Sequence, residues 1–570
     1  MIPRPEYPRP QMVRDGWMNL NGTWAFEKDP GDSGLERGLL DSPYTGSIRV
    51  PFCMESRLSG VGDTDFCRAV WYRRTFTLPR EALGMEVILR FGAVDYDCTV
   101  YVNGQKAGEH RGGYVSFGIR VTPFVREGEN TLVVHVRDDV RSPLQPSGKQ
   151  SMAYGSHGCF YTRTTGIWQT VWLEWMPPSH IRKVRLTPDA ENDRVMVEAA
   201  LERGGKCTLR VRASYEGGDV TEETVECRDR EAQVMLPVKG HHLWEAGQGR
   251  LYDLELELRD TEGRTDRVRS YFGLRSVSFD GMRFLLNGKP LFQRLVLDQG
   301  FYPDGIYTAP SDEELEMDIR RSMAMGFNGA RLHQKVFEPR FLYHADRLGY
   351  LVWGEMANWG LDHSEYGATE AFLREWICEV ERDYSSPAVI GWCPFNETWN
   401  VEGRPQKDEV LRTVYRVTKA MDRSRPVIDT SGNFHVETDI YDVHDYDQNP
   451  ETFREHYGPG TRPIHERMPE RQTYGGQPCF VSEYGGIYWS DADSQGWGYG
   501  ERVRSREEFL ERLRGLTDAL LDNPDHFGFC YTQLTDVEQE QNGLYTYDRK
   551  PKFEPETIRK ILSRKAACEA

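Results

Sequence analysis

Val389-Ile390-Gly391-Trp392-Cys393-Pro394-Phe395-Asn396-Glu397 and Phe480-Val481-Ser482-Glu483 are short apolar runs that each end in a glutamate. Six similar runs accompany them: Leu291–Leu297, Phe327–Leu332, Tyr350–Trp353, Pro426–Asp429, Asp442–Tyr446 and Phe527–Leu534. Helical periodicity separates most of these, at Asp312–Met325, Pro339–Arg347, Thr369–Tyr384, Asp408–Met421 and Arg506–Leu521. The crossover at 430–441 shows no helical pattern. Eight strands alternating with helices over ~290 residues are what a (β/α)₈ TIM barrel requires. A doubly wound sheet is the other arrangement, but no Gly-rich phosphate loop opens it. In a barrel, Glu397 and Glu483 stand at the C-terminal ends of the fourth and seventh strands, facing one another across the mouth.

Upstream the pattern changes. Residues 1–178 carry period-two runs such as Val70–Phe76 and Thr131–Val136 with turn signals at Asn103-Gly104 and Gly112-Gly113, predicting a β jelly roll. Residues 179–275 continue in short β runs and suit an immunoglobulin-like sandwich. The expected organisation is therefore jelly roll 1–178, sandwich 179–275 and barrel 276–570. Lys+Arg 71 against Asp+Glu 89 gives a net charge of −18, the wrong balance for a nucleic-acid or membrane-surface protein. No apolar run approaches the ~20 residues of a membrane span. The 11 cysteines are odd in number and form no CxxC pair, which excludes a disulfide framework and zinc fingers. With no apolar leader segment at the start, the reading is cytoplasmic, without metal or cofactor.

Paired carboxyl groups at a barrel mouth are the machinery of glycoside hydrolysis: one attacks the anomeric carbon, the other protonates the leaving oxygen. Asn396, beside Glu397, is a natural donor to a sugar hydroxyl. Trp399 and Trp489 lie in the same segments as the two glutamates, and aromatic faces pack on sugar C–H faces. One glutamate alone is as often a solvated surface charge, and a lone tryptophan is more often core. The joint placement carries the argument.

At these residues the chain resembles glycoside hydrolase family 2, the β-galactosidases, β-glucuronidases and β-mannosidases. Gly166–Glu174 looks like the end of that family's sugar-binding jelly roll, Phe284–Pro290 like the approach to its barrel, and Gly326–Arg331 like its second strand. The resemblance implies that Glu397 is the acid/base, Glu483 the nucleophile, Tyr446 a contact of the nucleophile, and Arg331 the cation that keeps it ionised. It implies retention of β configuration, an oligosaccharide or glycoconjugate substrate, and a dimer or tetramer.

The departures concern the sugar. Leu332-His333-Gln334-Lys335 replaces the family's histidine–tyrosine pair, and Leu297-Asp298-Gln299-Gly300 its Arg-His-Glu run. Asp298, His333 and Lys335 are thus candidates for the pocket floor. Similar β-glucuronidases carry an Asn-x-Lys that grips the sugar carboxylate. Here Glu540-Gln541-Asn542 precedes Gly543–Lys552, and the lysine is missing. Lys335, with Arg163 from the jelly roll, is the expected replacement cation. That favours a galacto-configured glycone, β-galacturonide or β-galactoside, over β-glucuronide. A catalytically dead carbohydrate-binding protein is the non-enzyme alternative.

Overall fold

The computed structural model describes residues 2–401, 403–461, 464–465, 468–491 and 496–570. Two antiparallel sheets form the first body. One has six strands (Gly46–Val50, Gly22–Lys28, Ala69–Leu78, Gly128–Arg137, Asp97–Val102, Gln105–Arg111). The other has four (Trp17–Asn19, Val171–Met176, Glu86–Phe91, Phe117–Arg120). Alternating side chains such as Trp24, Tyr72, Val100, Val134 and Leu173 fill the space between them. The second body packs a three-stranded sheet on a four-stranded one around Val197, Leu209, Val234 and Leu256.

The barrel strands are, in chain order, Gln293–Asp298, Gly329–Leu332, Leu351–Glu355, Val389–Cys393, Thr430–Ser431, Tyr441–Asp445, Cys479–Gly485 and His526–Thr532. Seven form one parallel sheet in the order 4-3-2-1-8-7-6. Every residue of those seven is buried, which explains their unbroken apolar runs. The ring closes through the fifth. Ile428 N donates to Trp392 O, and Thr430–Ser431 pairs in parallel with Phe395–Asn396.

The fifth strand is interrupted at the end of the run Pro426–Asp429: Val427 bridges Trp392, and the pairing resumes only at Thr430–Ser431. Asp429 is the reason: its carboxylate accepts from the backbone N–H of Thr430, Val436 and Glu437. That local capping folds residues 432–440 back and diverts the ladder. Helices Pro450–Tyr457 and Pro555–Leu562, absent from the sequence reading, complete the outer ring. Both are eight residues long, too short for a clear helical period.

A long loop (138–165) leaves the jelly roll and reaches the barrel mouth. Ser147 and Gly148 N–H both donate to Trp359 O, and Thr162 N donates to Glu538. Gly148 has φ +57, and a Cβ there would sit 2.4 Å from Gln334 O, so only glycine permits this approach.

Candidate active site

The mouth of the barrel gathers one polar group from the end of nearly every strand. Arg331, on the second strand, is fully buried and donates to four oxygen atoms, with His444 Nε2 a further 3.5 Å neighbour of Nη1. Nη1 donates to Glu483 Oε1 (3.2 Å) and Ser482 O (3.0 Å). Nη2 donates to Glu355 Oε2 (2.8 Å) and Asn396 Oδ1 (3.0 Å). One guanidinium thus orients the carboxylates of strands three and seven together with the amide beside Glu397. Its rigid fork suits this, where a lysine could hold one partner at best.

Glu483 also accepts a hydrogen bond from the Tyr446 hydroxyl, and His444 Nε2 lies 3.4 Å from its Oε1. Burial alone would raise its pKa. His444, His333, Arg331 and the Tyr446 hydroxyl outweigh that and bring it down to about 2. Glu483 is an ionised carboxylate at any physiological pH. Burial and the Glu483 charge push the Tyr446 phenol upward, so it stays a neutral donor. Its ring stacks on Tyr499 at 3.4 Å.

Glu397 differs in every respect. Its side chain is 28% exposed. His444 Nδ1 lies 2.7 Å from its Oε1. Its φ is +41, a left-handed conformation that costs a glutamate of order 1–2 kcal/mol. The Glu397 N–H donates to Ser431 O, and the parallel pairing of Asn396 with Ser431 holds the strained residue in place. Glu397, His444 and Glu483 present one atom each within 4.8 Å of one another. By distance alone that trio fits a small cation. The buried guanidinium beside Glu483 already supplies the positive charge, and the geometry suits a pair of carboxyl groups flanking a reacting carbon.

Asn396 is where the sequence places it. Arg331 fixes its amide oxygen, and its NH₂ has no hydrogen-bond partner among the described residues. His333 lies against the site, with Nδ1 2.8 Å from Glu355 Oε1 but not aligned for a hydrogen bond. Burial lowers its pKa despite Glu355. Trp399 is 49% exposed at the rim, 5.4 Å from the Trp359 ring.

Four candidates are elsewhere. Lys335 is buried, and its ammonium donates to the carbonyls of Gly300 and Tyr307. Burial lowers its pKa to about 7. It braces the loop after the first strand and does not face the glutamates. Arg163 donates to the carbonyls of Ser151, Ala153 and Thr64 and lies over the Phe66 ring. It ties the jelly-roll loop together. Asp298 accepts from Gly300 N and caps its own turn. Trp489 packs near Phe553, and its carbonyl accepts from Lys552.

Glu355 and His444 were not singled out by sequence. Glu355 ends the third strand by the same rule that exposes Glu397 and Glu483, so its signal was present. His444 lies inside the run Asp442–Tyr446 and was hidden by the tyrosine two residues on. Its pKa is raised: burial opposes, but Glu483 and Glu397 prevail.

The first two bodies match family models. Residues 17–177 match the sugar binding domain of glycosyl hydrolases family 2, and residues 179–275 match glycosyl hydrolases family 2. Residues 17–275 thus carry two domains of glycosyl hydrolases family 2. A putative beta-glucuronidase of Formosa agariphila is 27% identical over 67% of this chain, which spans 46% of that relative's length. A beta-glucuronidase of Paenibacillus borealis is 23% identical over 97% of this chain and 98% of its own. The solved beta-D-glucuronidase from Dictyoglomus thermophilum superposes with a TM-score of 0.79 at 20% identity, covering 98% of both chains, and shares the fold.

Proposed function

We propose that this family 2 member is an exo-acting retaining β-glycosidase with Glu483 as nucleophile and Glu397 as acid/base. The observation that carries the reading is the pair itself. A carboxylate held ionised near pKa 2 has an oxygen within 4.8 Å of one from a half-open carboxyl. Retaining enzymes separate the two groups by ~5–5.5 Å, inverting ones by ~6.5–9.5 Å to admit water. In the first step Glu483 Oε attacks C1, the C1–O bond to the aglycone breaks, and the Glu397 proton passes to the leaving oxygen. In the second, Glu397 takes a proton from water, whose oxygen attacks C1 and frees Glu483. Arg331 and Tyr446 receive the returning carboxylate charge. The NH₂ of Asn396 is the donor for the hydroxyl next to C1.

For the glycone, the names of the relatives make β-glucuronide the first substrate to test. The galacto-configured reading lost its original support, because Lys335 and Arg163 are engaged elsewhere. Glu540 stands where similar β-glucuronidases carry their carboxylate-gripping segment, hydrogen-bonded to Tyr161 and Asn542. That segment supplies no cation here, so a uronate would have to be held from elsewhere. Release of nitrophenol from β-glucuronide, β-galacturonide, β-galactoside and β-glucoside ranks the readings. Glu483→Gln should abolish release. A Glu483→Gln variant that still hydrolyses at wild-type rate overturns the assignment of the nucleophile, and wild type that releases nothing returns the binding-protein alternative. All 11 cysteines are free thiols, in keeping with the reducing cytoplasm we propose for it.

A further inference from the structure

Three lysines are buried among the described residues: Lys149, Lys335 and Lys552. Two have evident partners. Lys552 pairs with Asp536 at 2.6 Å, and Lys335 donates to two carbonyls. Lys149, in the jelly-roll loop that reaches the barrel mouth, is 5% exposed. Its ammonium has no hydrogen bond or ion pair among the described residues. Its ammonium lies only over two rings, 5.5 Å from Trp359 and 5.8 Å from Tyr161. A buried ammonium without an anion is costly, and two aromatic faces offset only part of that cost.

One of these rings is tied directly to the candidate site. Trp359 Nε1 donates to the carbonyl of Asn396, the residue before Glu397, and the Tyr161 hydroxyl donates to Glu540. Lys149 is also close enough to lower the pKa of His333, which in turn feels Glu483, and of Cys159, which feels Glu397. Its ammonium is not among the side-chain atoms sealed from solvent. The position is built, too: Gly148, with its left-handed backbone, brings this loop against the barrel, and the Lys149 carbonyl is fixed by Tyr161 N–H.

We infer that Lys149 receives the carboxylate of an acidic sugar, making the glycone a β-linked hexuronide anchored from the jelly roll. The inference rests on the glycosidase reading and deepens it. A cation between two rings, open on one side, presents a single face to an anion, and the carboxylate completes its charge balance. The neutral C6 hydroxymethyl of a hexoside leaves the ammonium unpaired, so selectivity against hexosides follows from the same cost.

The test uses two matched pairs of nitrophenyl glycosides that differ only at C6: β-glucuronide against β-glucoside, and β-galacturonide against β-galactoside. Lys149→Met keeps the length and removes the charge, and a melting curve checks its fold. The uronide-to-hexoside ratio of kcat/KM should fall about 30-fold or more in at least one pair, the expected loss when one partner of a buried charge pair is truncated. Lys149→Arg should recover part of it. Which pair responds assigns the C4 configuration. An unchanged ratio in Lys149→Met overturns the inference, as does equal loss on both members of each pair. Wild type that cleaves the hexosides but neither uronide overturns it while leaving the glycosidase reading standing. Release from none of the four overturns both.

Discussion

Replacing Glu397 by Ala should separate the two halves of the proposed reaction. Among the described residues the one partner of its carboxylate is His444 Nδ1, and the side chain is partly exposed. His444 keeps Ser431 and Glu483 as neighbours, so the loss in stability should stay near 1 kcal/mol. The chemical loss is larger. General acid catalysis contributes roughly 10²–10⁴-fold, or about 3–5 kcal/mol of barrier. Alkyl glycosides, whose leaving oxygen must be protonated, should lose about that much kcat/KM. Dinitrophenyl glycosides need no proton, so their first step survives. Their second step lacks its base, and the ester between C1 and Glu483 accumulates. Rapid mixing should show a burst of dinitrophenolate equal to the enzyme concentration. Azide needs no deprotonation and fits the space left by the side chain. It should restore turnover and release a glycosyl azide of β configuration, identified by NMR. The β outcome follows from the close approach of the two carboxyl groups. Equal losses on both aglycones, a missing burst, or an α-configured azide would refute the assignment.

Glu483 titrates near 2 in the folded chain against an ordinary 4.5, so its ionisation contributes stability that is complete above about pH 5. That contribution is lost as pH falls through the folded value. Urea midpoints of wild type and Glu483→Gln should therefore converge between pH 5 and pH 3, and a constant gap would contradict a carboxylate held ionised by its surroundings. Tyr446→Phe removes one hydrogen bond to that charge, worth roughly 1.5–3 kcal/mol. The acid limb of kcat/KM should move up by about 1–2 pH units, and an unmoved limb would mean the phenol does not act on the nucleophile. Lys335→Met should leave the uronide-to-hexoside ratio unchanged, because its ammonium is bound to the carbonyls of Gly300 and Tyr307. A selective loss on uronides would return it to the pocket.

The barrel and its two glutamates were legible because both rest on local patterns. Period-two runs, helical periodicity and turn residues are properties of neighbouring residues, and a strand that ends in glutamate presents it at the mouth wherever the barrel closes. Glu355 obeyed the same rule and could have been read. The break in the fifth strand was not legible because Asp429 captures backbone donors seven and eight residues ahead, a contact that apolar patterning does not register.

By itself, the sequence determined the eight strands, the family 2 domains that precede them, and two of the carboxyl groups that stand at the strand ends. Only the tertiary structure decided what each charge does. Lys335, Arg163 and Lys149 are equally cationic in the sequence. Carbonyls surround the first two, whereas the third lies between Tyr161 and Trp359, which come from different bodies of the fold. The energy of a charge depends on the polarisability of its surroundings and the nearest opposite charge, and long-range packing sets both.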